Sequence, residues 1–190
     1  MTIANKLTLS RVILIPFYVL FLLADITHYH YWIAAAIFVL TAVTDAVDGK
    51  LARKLNQVTD FGKFADPIAD KLLVLSAMIS FVQIGMMPAW ICIIITAREI
   101  IISGFRLICA NKGTVVAASM PGKIKTVTQM AFIILSSVNF SYYFEDLIPQ
   151  VCQIVEIIRI IIMYLALLMT ILSLIDYLIK NKDAFSSSNL

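Results

Sequence analysis

The sequence predicts an all-α, polytopic membrane protein with six transmembrane helices and a short N-terminal interfacial segment. Three observations lead there. Of the 190 residues, 61% are hydrophobic and only 14% are charged, which is more apolar side chain than a soluble domain of this size hides from water. Apolar runs of about 20 residues recur, the length a helix needs to cross a hydrocarbon core. Lys and Arg are concentrated at alternate connections between those runs.

Residues 2–7 form the interfacial piece, with Asn5 and Lys6, and helix 1 follows over about 8–25. The run Leu9–Ala24 has the apolarity of a signal-peptide core, but no small-x-small cleavage pattern follows it. Helix 2 is expected from about Tyr31 to Lys54, and a short connection, Leu55–Thr59, leads to helix 3 at about Asp60–Ile84. Gly85 to Pro88 reads as a tight turn. Helix 4 is expected over about Ala89–Ala110, closed by Asn111-Lys112-Gly113 as a C-cap. Ser119 is the candidate N-cap of helix 5, about 120–141, with Pro121 in its first turn. Ser141–Gln150 reads as an acidic and aromatic loop, and helix 6 covers about 157–179, with a shallow helix carrying Glu156 and Arg159 before it. No linker or repeat divides the chain, so residues 1–180 are taken as one membrane domain and 181–190 as a polar tail.

Six spans put both termini on one side. Lys and Arg occur before helix 1, around the 2–3 and 4–5 connections and after helix 6, whereas the 1–2, 3–4 and 5–6 loops contain none. The positive-inside rule then places both termini and the 2–3 and 4–5 connections in the cytoplasm. Trp32, Trp90, Tyr142 and Tyr143 fall at outer helix ends, where an interfacial aromatic belt is expected. Cys92, Cys109 and Cys152 are too scattered for a disulfide framework or a thiolate metal site and read as small buried hydrophobes. His28 and His30 read as loop-surface residues.

Against this apolar background stands the stretch from Asp45 to Asp70. Asp45, Asp48, Asp66 and Asp70 each cost about 2.5–3.5 kcal/mol at the centre of a membrane helix. The short connection makes helices 2 and 3 antiparallel neighbours. Asp48 and Asp66 lie equally far from Gln57, and Asp45 and Asp70 do so to within a residue, so the four meet at two matched levels. Asp45 and Asp48 are three apart, Asp66 and Asp70 four apart, and each pair shares a helix face. Four converging carboxylates do not all stay ionised without counter-charge. One arrangement is two divalent cations. With oxygen ligands alone the metal is hard, Mg²⁺ or Mn²⁺, and two such ions are a device for phosphoryl chemistry. The other arrangement is a set of structural ion pairs with Lys50, Arg53, Lys63 and Lys71, although those cations can snorkel to water and the acids cannot. Gly49, Ala52 and Gly62 leave helix surface bare beside the acids, room for a flat ligand or for close helix packing.

The pattern Asp45-x2-Asp48-Gly49-x2-Ala52-Arg53-x8-Gly62-x3-Asp66-x3-Asp70 resembles the signature of the CDP-alcohol phosphatidyltransferase family, complete at all eight positions. The flanking pieces Asn5–Arg11, Ala97–Ile100, Gly104–Arg106 and Gly122–Thr126 resemble members of that family whose acceptor is glycerol 3-phosphate; helix 6 matches only as an apolar span. The resemblance implies six transmembrane helices, a homodimer in the bacterial cytoplasmic membrane, and transfer of a phosphatidyl group from CDP-diacylglycerol at a site facing the cytoplasm. Carried over by position, Asp45, Asp48 and Asp66 hold the metals, and Asp70 is both metal ligand and general base. Gly49, Ala52, Arg53 and Gly62 line the CDP site. Membrane lipid is the expected surrounding, and no nucleic-acid partner is expected.

A phosphorylated acceptor is an anion and needs cations. Arg98 and Arg106 lie about 80° apart around helix 4. Lys123 and Lys125 open helix 5, where free N–H groups and the helix dipole favour phosphate. Arg106 and Lys123 are expected to grip the phosphate with Arg98 helping; alternatively Arg98 pairs with Glu99 or an aspartate. Lys125 and Lys112 also suit a solvated or headgroup-facing surface. Asn5, Thr8 and Arg11 suit either a contact to the CDP-lipid or an interfacial anchor. Two rival readings are a sister enzyme with inositol phosphate, serine or phosphatidylglycerol as acceptor, and a divalent-cation channel or transporter. The latter is disfavoured because no acidic ladder runs through helices 1, 4 or 5.

Overall fold

The computed structural model describes residues 3–54, 60–111 and 120–180; for 3–8, 45–54, 60–67, 70, 108, 110 and 111 it describes the backbone alone. The described residues form seven helices and no strand: α1 (Ile3–Leu23), α2 (His30–Lys54), α3 (Asp60–Gln83), α4 (Ala89–Asn111), α5 (Met120–Val138), α6 (Phe140–Phe144) and α7 (Pro149–Lys180). They fall into two compact units, the first made of residues up to Pro88 with Ile133–Tyr143, the second of Ala89–Phe132 with residues from Phe144 onward.

In the first unit α1 packs against both α2 and α3, which also touch each other. Tyr18, Leu22, Ala34, Phe38, Thr41, Leu73, Ala77, Met78 and Phe81 are buried there. Ala34 and Ala77 let backbones approach closely, and Tyr18 and Phe38 pack tilted with ring centroids 5.6 Å apart. The Tyr18 hydroxyl shares a 3.0 Å hydrogen bond with the Ser137 hydroxyl, so this deep phenol is satisfied. Thr41, Thr44, Ser76 and Ser80 donate to the carbonyl four residues back on their own helices, which removes bare hydroxyls from an apolar setting. The α3 C-terminus closes as the Gly85–Pro88 turn predicts. Gly85 adopts φ +78°, and the Gly85 and Met86 N–H groups donate to the Val82 and Phe81 carbonyls, a Schellman cap.

In the second unit α4 packs against α7. Ile91, Ile95, Ile102 and Cys109 of α4, Phe132 of α5, and Met163, Ala166, Leu167 and Thr170 of α7 are buried. Arg98 contacts Ser173, and Arg106 contacts Tyr177 further along both chains. The two helices therefore run in the same direction. The other face of α7 exposes Ile157, Ile161, Leu168, Ile175 and Ile179.

The start of α2, the end of α3 and the start of α4 fall within a residue of their predicted positions; the other ends of these helices abut residues outside the described set. Four expectations are corrected. Residues 3–7 are not a separate interfacial piece but the first turns of α1, since no Gly or Pro breaks the chain before Pro16. Helix 5 ends at Val138, where Asn139 takes φ +42°; the expected loop after it contains α6 and the start of α7. Helix 6 and its shallow forerunner are one continuous helix of 32 residues, because Glu156 and Arg159 pair across one turn, Arg159 Nε donating to Glu156 Oε2 at 2.8 Å. His30 is not at the surface: it opens α2, is buried, donates from Nδ1 to the Phe21 carbonyl at 3.0 Å, and holds Nε2 3.5 Å from Asp25. His28 is exposed.

Among the described residues one helix, Pro149–Lys180, is long and apolar enough to cross a membrane; shorter apolar helical stretches cover Leu9–Leu23, His30–Thr44 and Lys71–Gln83. In α4 the charges Arg98, Glu99 and Arg106 interrupt the apolar run. The 55–59 connection, the Lys112–Gly113 part of the C-cap, Ser119 and the 181–190 tail lie outside the described residues.

Candidate functional site

Asp45 and Asp48 lie in the last three turns of α2, and Asp66 and Asp70 in the first three turns of α3. Both backbones are helical through these positions, so the three- and four-residue spacings put each pair on one side of its helix. Gly49, Ala52 and Arg53 continue α2, Gly62 belongs to the first turn of α3, and Asn5 and Thr8 belong to α1. The side chains of all these residues lie outside the described set, and the expected convergence of the four carboxylates lies there with them. The donor set itself suits a hard divalent ion: four carboxylates from two touching helices, without imidazole or thiolate. Among the described residues no group of three or more His, Cys, Asp or Glu could hold a metal.

Arg98, Arg106, Lys123 and Lys125 of the second unit are among the described residues. Arg98 is buried near the middle of α4. Its Nη1 donates to Glu99 Oε1 at 3.2 Å, and its Nη2 donates to the Ser173 hydroxyl at 2.5 Å. Lys125, also buried, donates from Nζ to the same Glu99 oxygen. One carboxylate thus holds two buried cations, the condition under which charge survives in an apolar interior. Arg106 and Lys123 are exposed. Arg106 lies over the Tyr177 ring, its guanidinium carbon 5.9 Å from the centroid. Phe105 meets the same ring edge-on at 5.5 Å.

This arrangement sorts the four predicted phosphate-binding cations. Arg98 takes the Glu99 partnership that the sequence left open. Lys125 does not lie on a solvated face but turns inward. Arg106 and Lys123 keep charge at the surface, where an anionic ligand can reach it. Three residues escaped the sequence reading: Glu99 as a shared partner, and Ser173 and Tyr177 from α7. Their signal was the polar group Ser173, Asp176, Tyr177 at helical spacing inside an otherwise apolar run.

The chain matches the family described as CDP-alcohol phosphatidyltransferase over residues 1–172. It is 39% identical to the CDP-diacylglycerol–glycerol-3-phosphate 3-phosphatidyltransferase of Bacillus subtilis (strain 168), covering 97% of each chain. It is 40% identical to the protein of the same name from Haemophilus influenzae, covering 90% of this chain and 89% of that one. It is 34% identical to a probable phosphatidylglycerophosphate synthase of Mycobacterium tuberculosis, covering 94% and 80%.

Proposed function

The chain belongs to the CDP-alcohol phosphatidyltransferase family, and on that premise we propose that it transfers the phosphatidyl group of CDP-diacylglycerol to glycerol 3-phosphate, giving phosphatidylglycerol phosphate and CMP. The observation that carries this reading is the near full-length similarity to relatives named for that reaction. The exposed cations Arg106 and Lys123, suited to a small phosphorylated alcohol, support it.

In this reading Asp45, Asp48, Asp66 and Asp70 hold two Mg²⁺ ions, with Mn²⁺ as a substitute. When bound, the ions polarise the phosphate oxygens and stabilise the departing CMP. Gly49, Ala52, Arg53 and Gly62 line the surface taken by the cytidine diphosphate, with Asn5 and Thr8 near the lipid headgroup. Asp70 accepts the proton of the acceptor's 1-hydroxyl. That oxygen bonds to the phosphorus bearing the diacylglycerol, and the bond from this phosphorus to CMP breaks. Arg106 and Lys123 bind the acceptor phosphate. Arg98 and Lys125, fixed by Glu99, supply the positive field behind them.

The proposed setting is a bacterial cytoplasmic membrane. Six of the helices cross it as a homodimer component, both termini lie in the cytoplasm, and the site opens to the same side. The exposed apolar face of α7 and the polar interruptions satisfied inside their helices suit such a setting.

The test is CMP release by purified protein in detergent. Release is expected only when a divalent cation and glycerol 3-phosphate are both present, and chelation is expected to abolish it. Release with inositol phosphate, serine or phosphatidylglycerol in place of glycerol 3-phosphate would falsify the acceptor assignment.

A further inference from the structure

Two polar residues that α7 sends into the second unit, Ser173 and Tyr177, have no part in the roles above. They sit one turn apart on the buried side of the helix. Thr170, the buried hydroxyl one turn before them, bonds back to its own helix at the Ala166 carbonyl, as hydroxyls in apolar helices ordinarily do. Ser173 instead reaches α4 and accepts from Arg98. With Glu99 on Nη1 and Ser173 on Nη2, the Arg98 guanidinium is held at two points. Two turns along α4, Arg106 rests its guanidinium over the face of Tyr177. That ring is only 4% exposed and is fixed edge-on by Phe105. Arginine carries much rotamer freedom, and a site that must freeze it when the ligand arrives binds more weakly than one in which it is already placed. An aromatic face orients a guanidinium without neutralising it, leaving its N–H groups for an anion.

We propose that Ser173 and Tyr177 are positioning residues of the acceptor subsite, Ser173 holding Arg98 and Tyr177 holding Arg106 ready for a phosphate monoester. The inference rests on the reaction proposed above and assigns α7, which carries no motif, a share in acceptor selection.

The experiment is steady-state kinetics of the full chain in detergent, varying CDP-diacylglycerol and glycerol 3-phosphate separately. Tyr177→Leu is expected to raise the KM for glycerol 3-phosphate about three- to tenfold, leaving kcat and the KM for the CDP-lipid within about twofold. Tyr177→Phe keeps the ring face and is expected to restore the acceptor KM to within about twofold of wild type. Ser173→Ala is expected to raise the acceptor KM about tenfold, with Ser173→Thr recovering most of it. The inference is overturned if the Leu and Phe variants share one acceptor KM, if both substrates' KM values rise together, or if kcat alone falls. Should Tyr177→Leu fail to fold in thermal unfolding, the Ser173 pair decides by the same criteria. A wild-type chain that releases no CMP with glycerol 3-phosphate overturns the functional reading and this inference together, and that outcome is seen before any variant is made.

Discussion

Glu99 and Lys125 form an ion pair between α4 and α5, and the Glu99 oxygen that receives Lys125 also receives Arg98. Both cations are buried. The carboxylate is therefore the counter-charge for two groups that water does not reach. Glu99→Gln keeps the shape and removes the charge. It is expected to destabilise the protein by about 3 kcal/mol, the scale found when one partner of a buried pair is removed. A lowered thermal midpoint in detergent checks this; an unchanged midpoint means that lipid or water shields the cations.

Asp70→Asn is expected to reduce turnover about 10²–10⁴-fold, since the amide cannot take the acceptor proton. Binding of the CDP-lipid should largely remain. Turnover and cytidine-nucleotide binding measured on the same preparation separate the two effects, and normal turnover would remove Asp70 as the base.

Arg106→Ala removes an exposed cation and uncovers the Tyr177 ring beneath it. The KM for glycerol 3-phosphate is expected to rise about tenfold or more, the worth of a charge-assisted hydrogen bond, with a smaller change for CDP-diacylglycerol. Equal changes for both substrates would make Arg106 a structural residue.

Gly85→Ala tests the turn between α3 and α4. Nothing lies within 4 Å of the added Cβ, so crowding is absent, but the residue stands at φ +78°. A cost of about 1–2 kcal/mol is expected from that backbone conformation alone. Thermal unfolding measures it, and no change would mean that the turn relaxes to another conformation.

The end of α3 and the start of α4 were legible because short-range chemistry sets them. Gly85 supplies the left-handed cap, Pro88 cannot continue a helix, and a few residues suffice to read both. The helical backbone at Asp45, Asp48, Asp66 and Asp70 was legible because these residues lie inside long helical patterns. The unbroken α7 was not legible: Glu156 and Arg159 look like a polar interruption in the sequence, yet they satisfy each other within one turn and let the helix run on. His30 misled for a related reason, because its burial depends on Phe21 and Asp25 being folded back against the start of α2. The partner of Arg98 stayed open between Glu99 and an aspartate. Adjacent residues on a helix do not normally face each other, and only the approach of Lys125 and Ser173 from other helices shows where the guanidinium settles.

The unbroken length of α7 has a mechanical consequence. Thirty-two residues make a rod of about 48 Å, against a hydrocarbon layer of about 30 Å. In a bilayer such a rod must lean or project, and the lean answers to membrane thickness. Because this rod also carries the supports of Arg98 and Arg106, the grip on the water-soluble substrate is expected to vary with the acyl-chain length of the host lipid, which reconstitution into bilayers of graded thickness would reveal.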